Sequence, residues 1–245
     1  MIFFQFPGIP DVQCVFCGAE EGLGDIAFSS ERIPGEIQHN RIRLFEKLAP
    51  LGLKTWRECH QVHGDTIIKD PEPSDIFCNT TPFPEGDGMM TDLSNCGLMI
   101  KTADCQPILL AHSSGEYIMA IHTGWRANRI NFPALAVNAF CEEYNLQPGD
   151  IWAVRGPSLG PNCAEFMNFD SEWGEPFLPW FNSATKCMDL WDLTRFQLQA
   201  AGVHTFHIYG IDICTMTNPG TYFSWRHNKT RGRQASLIWK TRKEH

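Results

Sequence analysis

Long apolar runs are scarce in this sequence. No stretch approaches the roughly 18 consecutive apolar residues that a membrane span requires, so no membrane-embedded segment is expected. The opening MIFFQFPGIP is apolar, yet it lacks a basic leader, a long apolar core and a small-residue cleavage site. It also carries two prolines and reads as mature protein rather than as a signal peptide. Positive charge is in deficit, with 20 Lys and Arg against 28 Asp and Glu and a net charge of −8. A general affinity for nucleic acid or anionic lipid is therefore not expected, and any anion site has to be a local basic pocket. Cys14 and Cys17 form a C-x-x-C, but no second such pair completes a zinc ribbon, and the nine histidines include no His-x-His pair. Internal repeats, low-complexity tracts and long linkers are absent too. The even spread of proline and glycine points to a single domain over residues 1–245.

What is present is a sizeable core: 43% of the residues are hydrophobic, enough for a large folded unit. Ten cysteines without a recognisable leader indicate reduced thiols and a cytoplasmic location, most of them packed as small hydrophobes. Short apolar runs rich in β-formers recur as VQCVF, LMIKTA, PILLAH, YIMAIH, IWAVRG, FHIYGI and ASLIW. Helical spacing predicts helices over 39–49, with Ile42, Phe45 and Leu48 inward, and over 132–146, with Pro133 in its first turn. A third helix is expected over 192–202, from a capping aspartate at 192 to Gly202. Many strands with a few helices predict a mixed, layered α/β fold with central sheet and helices outside.

Three segments carry polar residues whose chemistry can combine. HQVHGD (60–65) read as extended chain puts His60 and His63 on opposite faces, so one of them belongs to a site; His63, before Gly64, is the choice. In IKTADCQPILL (100–110), Cys105 lies between apolar runs, and Asp104 needs a partner in such surroundings. YIMAIH ends on His122, and TGWRANRINF leads into a helix where Arg126 and backbone N–H groups can form an anion-binding corner. Each has a plain structural reading as well: a hydrogen-bonded histidine, a buried cysteine, a solvated arginine. One cysteine and two histidines match zinc ligation with a fourth position open for water or substrate, the arrangement of a catalytic site. Spacing by itself does not bring the three together.

Their order, with further motifs, resembles the laccase-domain family of purine nucleoside phosphorylases, long labelled multicopper polyphenol oxidases. The resemblance runs from about residue 12 to residue 239. It rests on HNR (39–41), QVHGD (61–65), GDGMMTD (86–92), TADCQPILL (102–110), HTGWRA (122–127), GPSLGP (156–161) with Glu165, DICT (212–215) and YFSWRHNKTRGRQAS (222–236). It implies that His63, Cys105 and His122 ligate one metal, zinc rather than the copper of the older label. It implies a layered α+β fold similar to the cytotoxic-necrotising-factor-like cysteine hydrolases. The implied activity is phosphorolysis of adenosine, inosine, guanosine and methylthioadenosine to base and ribose 1-phosphate, with adenosine deamination alongside. The partners are then a purine nucleoside and phosphate.

Within that frame Cys105 and His122 are catalytic, and Asp104 or Glu165 moves the proton. Gln61, Arg126, Arg226 and Arg233 bind substrate, and Trp125, Phe223 and Trp225 are available to stack on a purine. The chain departs from the family pattern at Cys17 and Gly18, where a basic side chain is usual, and at Thr123 and Ala127 of the HTGWRA motif. Three other readings compete: a metal-free Cys105/His122 hydrolase, a copper oxidase, and a non-catalytic binding protein.

Overall fold

Near-continuous apolar runs along the central strands dictate two buried faces for each sheet, and the chain supplies a cover for each. A computed structural model describes residues 1–19, 23–28, 34–74 and 83–241. Cys78 and part of the altered N-terminal loop (residues 20–22) lie outside them. Along the chain come β1 (Ile2–Phe4), β2 (Val12–Phe16), helix α1 (Pro34–Leu48), β3 (Thr55–Arg57) and β4 (Ile67–Lys69). Next are β5 (Gly88–Thr91), β6 (Cys96–Thr102), β7 (Gln106–His112) and β8 (Ile118–Thr123). Helices α2 (Trp125–Arg129) and α3 (Phe132–Tyr144) follow, then β9 (Ile151–Arg155) and α4 (Phe169–Glu172). A small hairpin, β10 (Phe181–Asn182) with β11 (Cys187–Met188), precedes α5 (Leu190–Ala200). The last elements are β12 (Ile208–Gly210), α6 (Trp225–Asn228) and β13 (Gln234–Lys240).

Two mixed sheets result, ordered β1-β2-β13-β6-β3 and β12-β9-β7-β8-β5-β4. Their inner faces meet: Cys14, Leu98 and Ile238 of the first pack against Met89, Leu109 and Ala120 of the second. Period-2 alternation sends the intervening residues outward. On the second sheet Ile108, Leu110, Met119 and Ile121 pack under Phe132, Val137 and Phe140 of α3. On the first, Leu237 and Trp239 pack under Leu44 and Leu48 of α1. The layers are therefore helix, sheet, sheet, helix, the mixed layered architecture expected.

Three local expectations are corrected. The inward face of α1 is Ile37, Arg41, Leu44 and Leu48, with Ile42 and Phe45 only half-buried. The shift follows from Arg41, fully buried because its guanidinium pairs with Glu58. Helix α5 starts at Leu190 and its cap is Asp189, whose Oδ1 accepts the Asp192 N–H at 2.9 Å. FHIYGI is strand only over Ile208–Gly210, since Thr205–His207 form a 3₁₀ turn. No described helix is long and apolar enough to cross a membrane.

Candidate functional site

The site forms where β7 and β8 begin and end. These are paired antiparallel with Gln106 opposite Thr123 and Pro107 opposite His122. Cys105 sits in the turn immediately before β7, and His122 is the next-to-last residue of β8. Segment 61–66 is not extended, which corrects the face-alternation premise for His60 and His63. His63 has φ 63°, while His60 makes an isolated bridge to Glu85.

The loop is held by Asp87, a fully buried carboxylate just before β5. It accepts the backbone N–H groups of Val62 (3.2 Å), His63 (3.0 Å) and Gly64 (2.7 Å). Its Oδ1 also accepts Nδ1–H of His122 at 2.7 Å, and its carbonyl accepts the His122 N–H. A carboxylate only accepts, so Nδ1 carries a proton, and Nε2 is the His122 nitrogen that can ligate a metal once its own proton is displaced. One aspartate thus orients both histidines. Burial raises the Asp87 carboxyl, but His122 and the Gly64 and His63 amides outweigh it and leave it below its ordinary value.

His63 Nε2 lies 3.8 Å from Cys105 Sγ, and the donor atoms of His63, Cys105 and His122 all fall within 4.8 Å of one another. Bond lengths of roughly 2.0–2.3 Å around one tetrahedral zinc place neighbouring ligands roughly 3.5 Å apart, so the group fits with small closure. Gly124 leaves the space: a Cβ there would stand 3.0 Å from Cys105 Sγ and 3.2 Å from His63 Cδ2. Burial pushes the Cys105 thiol up, but His122 and His63 beside it bring it down to about 6. Burial depresses His122, yet the Cys105 thiolate and Asp87 lift it to about 9. Between those values the pair is thiolate and imidazolium, a charge state that a divalent cation replaces directly.

The remaining expected residues divide. Gln61 is committed to backbone: its Nε2 donates to the Lys101 carbonyl (2.8 Å) and its Oε1 accepts the Lys101 N–H (2.9 Å). Asp104, at φ 88°, accepts from Thr215 Oγ1 (2.7 Å) and from the Arg226 N–H (2.6 Å). It thereby ties the Cys105 turn to α6. Arg226 in turn donates to the Glu165 carbonyl at 2.8 Å.

Two cavities, about 530 and 480 Å³, meet at His63, Ala103, Cys105 and Arg233. Gln61, Lys101 and Phe83 line the first; Arg126, Arg226, Lys229, Trp125 and Trp225 line the second. Glu165 lines neither. Of the aromatics, Trp225 is 46% exposed, Trp125 packs against Phe166 and Trp173, and Phe223 lies against Gly232 outside both cavities. Arg233 spends Nη1 on the carbonyls of Thr230, Arg231 and Gly232. At the altered N-terminal loop, Cys17 is buried and a Cβ on Gly18 would sit 2.4 Å from the Thr221 carbonyl oxygen. No larger side chain fits at position 18 in this backbone. Asp87 lies in GDGMMTD and Gly124 in HTGWRA, but what each does depends on residues that only folding brings beside it.

Comparison with known proteins places the chain. The family model described as multi-copper polyphenol oxidoreductase laccase matches residues 23–241. Purine nucleoside phosphorylase YfiH of Escherichia coli (strain K12) is 30% identical over 214 residues, 84% of this chain and 82% of that protein. Purine nucleoside phosphorylase YlmD of Geobacillus stearothermophilus is 31% identical over 215 residues, 83% and 78% of the two chains. The crystal structure of YlmD from Geobacillus stearothermophilus matches with a TM-score of 0.83 at 25% identity, covering 96% and 94%. A Bacillus licheniformis hypothetical protein YfiH shares the fold with a TM-score of 0.79 at 22% identity, covering 94% and 93%. By sequence over most of its length and by fold, the chain belongs to the multi-copper polyphenol oxidoreductase laccase family.

Proposed function

We propose that this protein is a zinc-dependent purine nucleoside phosphorylase that also deaminates adenosine. The observation that carries the reading is the His63–Cys105–His122 group, held by Asp87 at the junction of two cavities, one of them rimmed by arginine and tryptophan. Relatives named purine nucleoside phosphorylase support the substrate class. One thiolate and two imidazoles suit zinc, and the clustered coppers of an oxygen-reducing oxidase need more ligands than converge among the described residues. When bound, zinc supplies Lewis acidity and an acidified water.

The chain's own residues do the rest. In phosphorolysis a phosphate oxygen bonds to C1′ of the ribose as the C1′–N9 bond breaks, and the departing base takes a proton. Arg126, Arg226 and Arg233 hold the phosphate as a local basic pocket on an acidic protein. Trp225 offers its exposed face to the purine. Asp104, with both oxygens engaged, positions Arg226 and the Cys105 turn, and Gln61 fixes the His63 loop against β6. Glu165, exposed and tied to Arg226 through its backbone carbonyl, is the acid proposed for proton transfer. We read residues 1–245 as one domain working in the cytoplasm.

The test is product analysis with adenosine, with and without phosphate. Phosphate-dependent release of adenine and ribose 1-phosphate supports the reading, inosine formed without phosphate supports the deaminase part, and no product in either condition overturns both. A second reading, a metal-free cysteine hydrolase, draws on the low Cys105 and high His122 pKa values. It predicts that Cys105 alkylates with a midpoint near pH 6 in protein purified without chelator. The zinc reading predicts protection until the metal is stripped.

A further inference from the structure

Of the nine described cysteines, six are buried and Cys105 belongs to the candidate metal site. The other two, Cys163 and Cys214, are half-buried, and the fold sets them against each other. Gly160 anchors both: its N–H donates to Cys214 Sγ at 3.2 Å, and its carbonyl accepts the Cys163 N–H at 2.9 Å. A Cβ at Gly160 would stand 3.0 Å from the Cys214 Cβ, so glycine lets the turn approach this closely. The Cys163 thiol donates to the Cys214 sulfur. Cys187 does not compete, being 5% exposed with its thiol donated to the Thr185 carbonyl at 3.4 Å. The two sulfurs differ in character. Burial pushes Cys214 up, but the Gly160 and Thr217 N–H groups, the Thr217 hydroxyl and the Cys163 thiol outweigh it and leave Cys214 below its ordinary value. Burial and the neighbouring Cys214 both push Cys163 up. A solvent-reachable sulfur with thiolate character beside a second thiol is the arrangement of a redox-sensing cysteine and its resolving partner.

We infer that Cys214 and Cys163 are a modification site for hydroperoxides, closing a reversible disulfide that clamps one wall of the second cavity. The Cys214 thiolate attacks a peroxide oxygen: an S–O bond forms as the O–O bond breaks, giving a sulfenic acid. The departing oxygen takes a proton and leaves as water, or as an alcohol from an organic peroxide. Cys163 then attacks the sulfenic sulfur; the S–S bond forms, the S–O bond breaks, and the Cys163 proton leaves with the hydroxide as water. Two electrons pass from the thiols to the peroxide, and an external dithiol reverses the change. The place of the pair gives closure a consequence. Its two segments already pair, with the Ser158 N–H on the Ile213 carbonyl (3.1 Å) and the Thr215 N–H on the Ser158 carbonyl (3.0 Å). Both also hold Asp104, whose carbonyl accepts the Leu159 N–H and whose Oδ1 accepts from Thr215 Oγ1. Ser158 and Leu159 line the second cavity. A Cys163–Cys214 bond therefore fastens that wall covalently across residues 164–213. The inference needs no substrate and stands apart from the nucleoside reading.

The test treats the intact protein, freed of reductant, with equimolar hydrogen peroxide, then alkylates the remaining thiols and maps the peptides by mass spectrometry. A Cys163–Cys214 disulfide should be the first product and should disappear with dithiothreitol. Cys214 should react about tenfold or more faster than the six buried thiols. Closure should raise the melting temperature by several degrees, because the bond restricts the unfolded chain over residues 164–213. Cys163→Ser should stop at a Cys214 sulfenic acid that dimedone traps, with no rise in melting temperature. Cys214→Ser should give neither the disulfide nor a sulfenic acid at Cys163. The map of the unmodified protein decides the matter even if a variant fails to fold. Absence of the Cys163–Cys214 disulfide there, or its appearance only after the buried thiols have reacted, overturns the inference. So does a melting temperature unchanged or lowered by the crosslink, since the bond then does not fit the native wall. A sulfenic acid on Cys163 in Cys214→Ser contradicts the roles assigned to the two sulfurs.

Discussion

Two clusters of buried charge lie close together and have opposite characters. In the first, Glu58 is fully buried between Arg41 and Lys101; Lys101 Nζ sits 2.7 Å from its Oε2, and Trp56 Nε1 donates to Oε1 at 2.9 Å. Burial pushes the Glu58 carboxyl up, but Lys101 and Arg41 outweigh it and hold it at about 2. The single anion there is shared by two cations of the protein itself. In the second, Asp87 answers His122 and three backbone amides, while the Cys105 sulfur and the free nitrogens of His63 and His122 point at one another across a small gap. The first cluster is closed and holds α1 on its sheet. The second brings together three donor atoms of the kind that hold a metal ion, and it lies at the meeting of two cavities. Converging donor atoms beside open space are what mark a candidate site; buried charge as such does not.

The sharpest break in that comparison is Cys105→Ala. It removes the anionic ligand of the open cluster, so metal binding, phosphorolysis and deamination should all be abolished while the fold persists; full activity on any nucleoside would refute a metal-centred mechanism. Next comes Glu58→Gln, which removes the buried anion that Arg41 and Lys101 share. It should cost about 3–5 kcal/mol in denaturant unfolding and leave zinc affinity unchanged. Because the folded pKa of Glu58 is depressed to about 2, its contribution is present above the ordinary carboxylate range and is lost as pH falls from about 4.5 toward 2. The variant's stability should therefore fall less steeply through that acid window than the parent's.

Asp87→Asn tests the support of the open cluster. It keeps the shape but weakens the hold on His122 and the 62–64 loop, so zinc affinity should drop about 10–100-fold in a chelator competition. The smallest expected effect belongs to Arg126→Ala. The exposed guanidinium stacks 4.4 Å over the Trp125 ring and has no ion-pair partner among the described residues. Its loss should slow phosphorolysis by about tenfold, consistent with one charge-assisted bond of about 1.5–3 kcal/mol, and affect deamination less. Equal loss of both activities would make Arg126 structural and move the phosphate toward Arg226 and Arg233.

How much of this was legible in the sequence follows from the range of each interaction. Strands β7, β8, β9 and β13 announce themselves because near-continuous apolar runs read the same locally and in the fold. Cys105 and His122 are legible at the ends of such runs. The conformation of His63 is not, since its positive φ is imposed by Asp87 from 24 residues further along the chain. Arg41 misleads any reading that keeps arginine at the surface, because its partner Glu58 becomes a neighbour only after folding. Asp189 rather than Asp192 caps α5 because the choice depends on which aspartate precedes the first helical turn. Gly124 carries a steric requirement visible only once Cys105 and His63 stand beside it.

Cobalt substitution with metal counting tests the central claim most directly. One Co²⁺ per chain with a thiolate-to-cobalt charge-transfer band, lost in Cys105→Ser and weakened in His63→Ala and His122→Ala, is the result this account predicts. Stoichiometric metal without a thiolate band, or a band indifferent to Cys105, would contradict it.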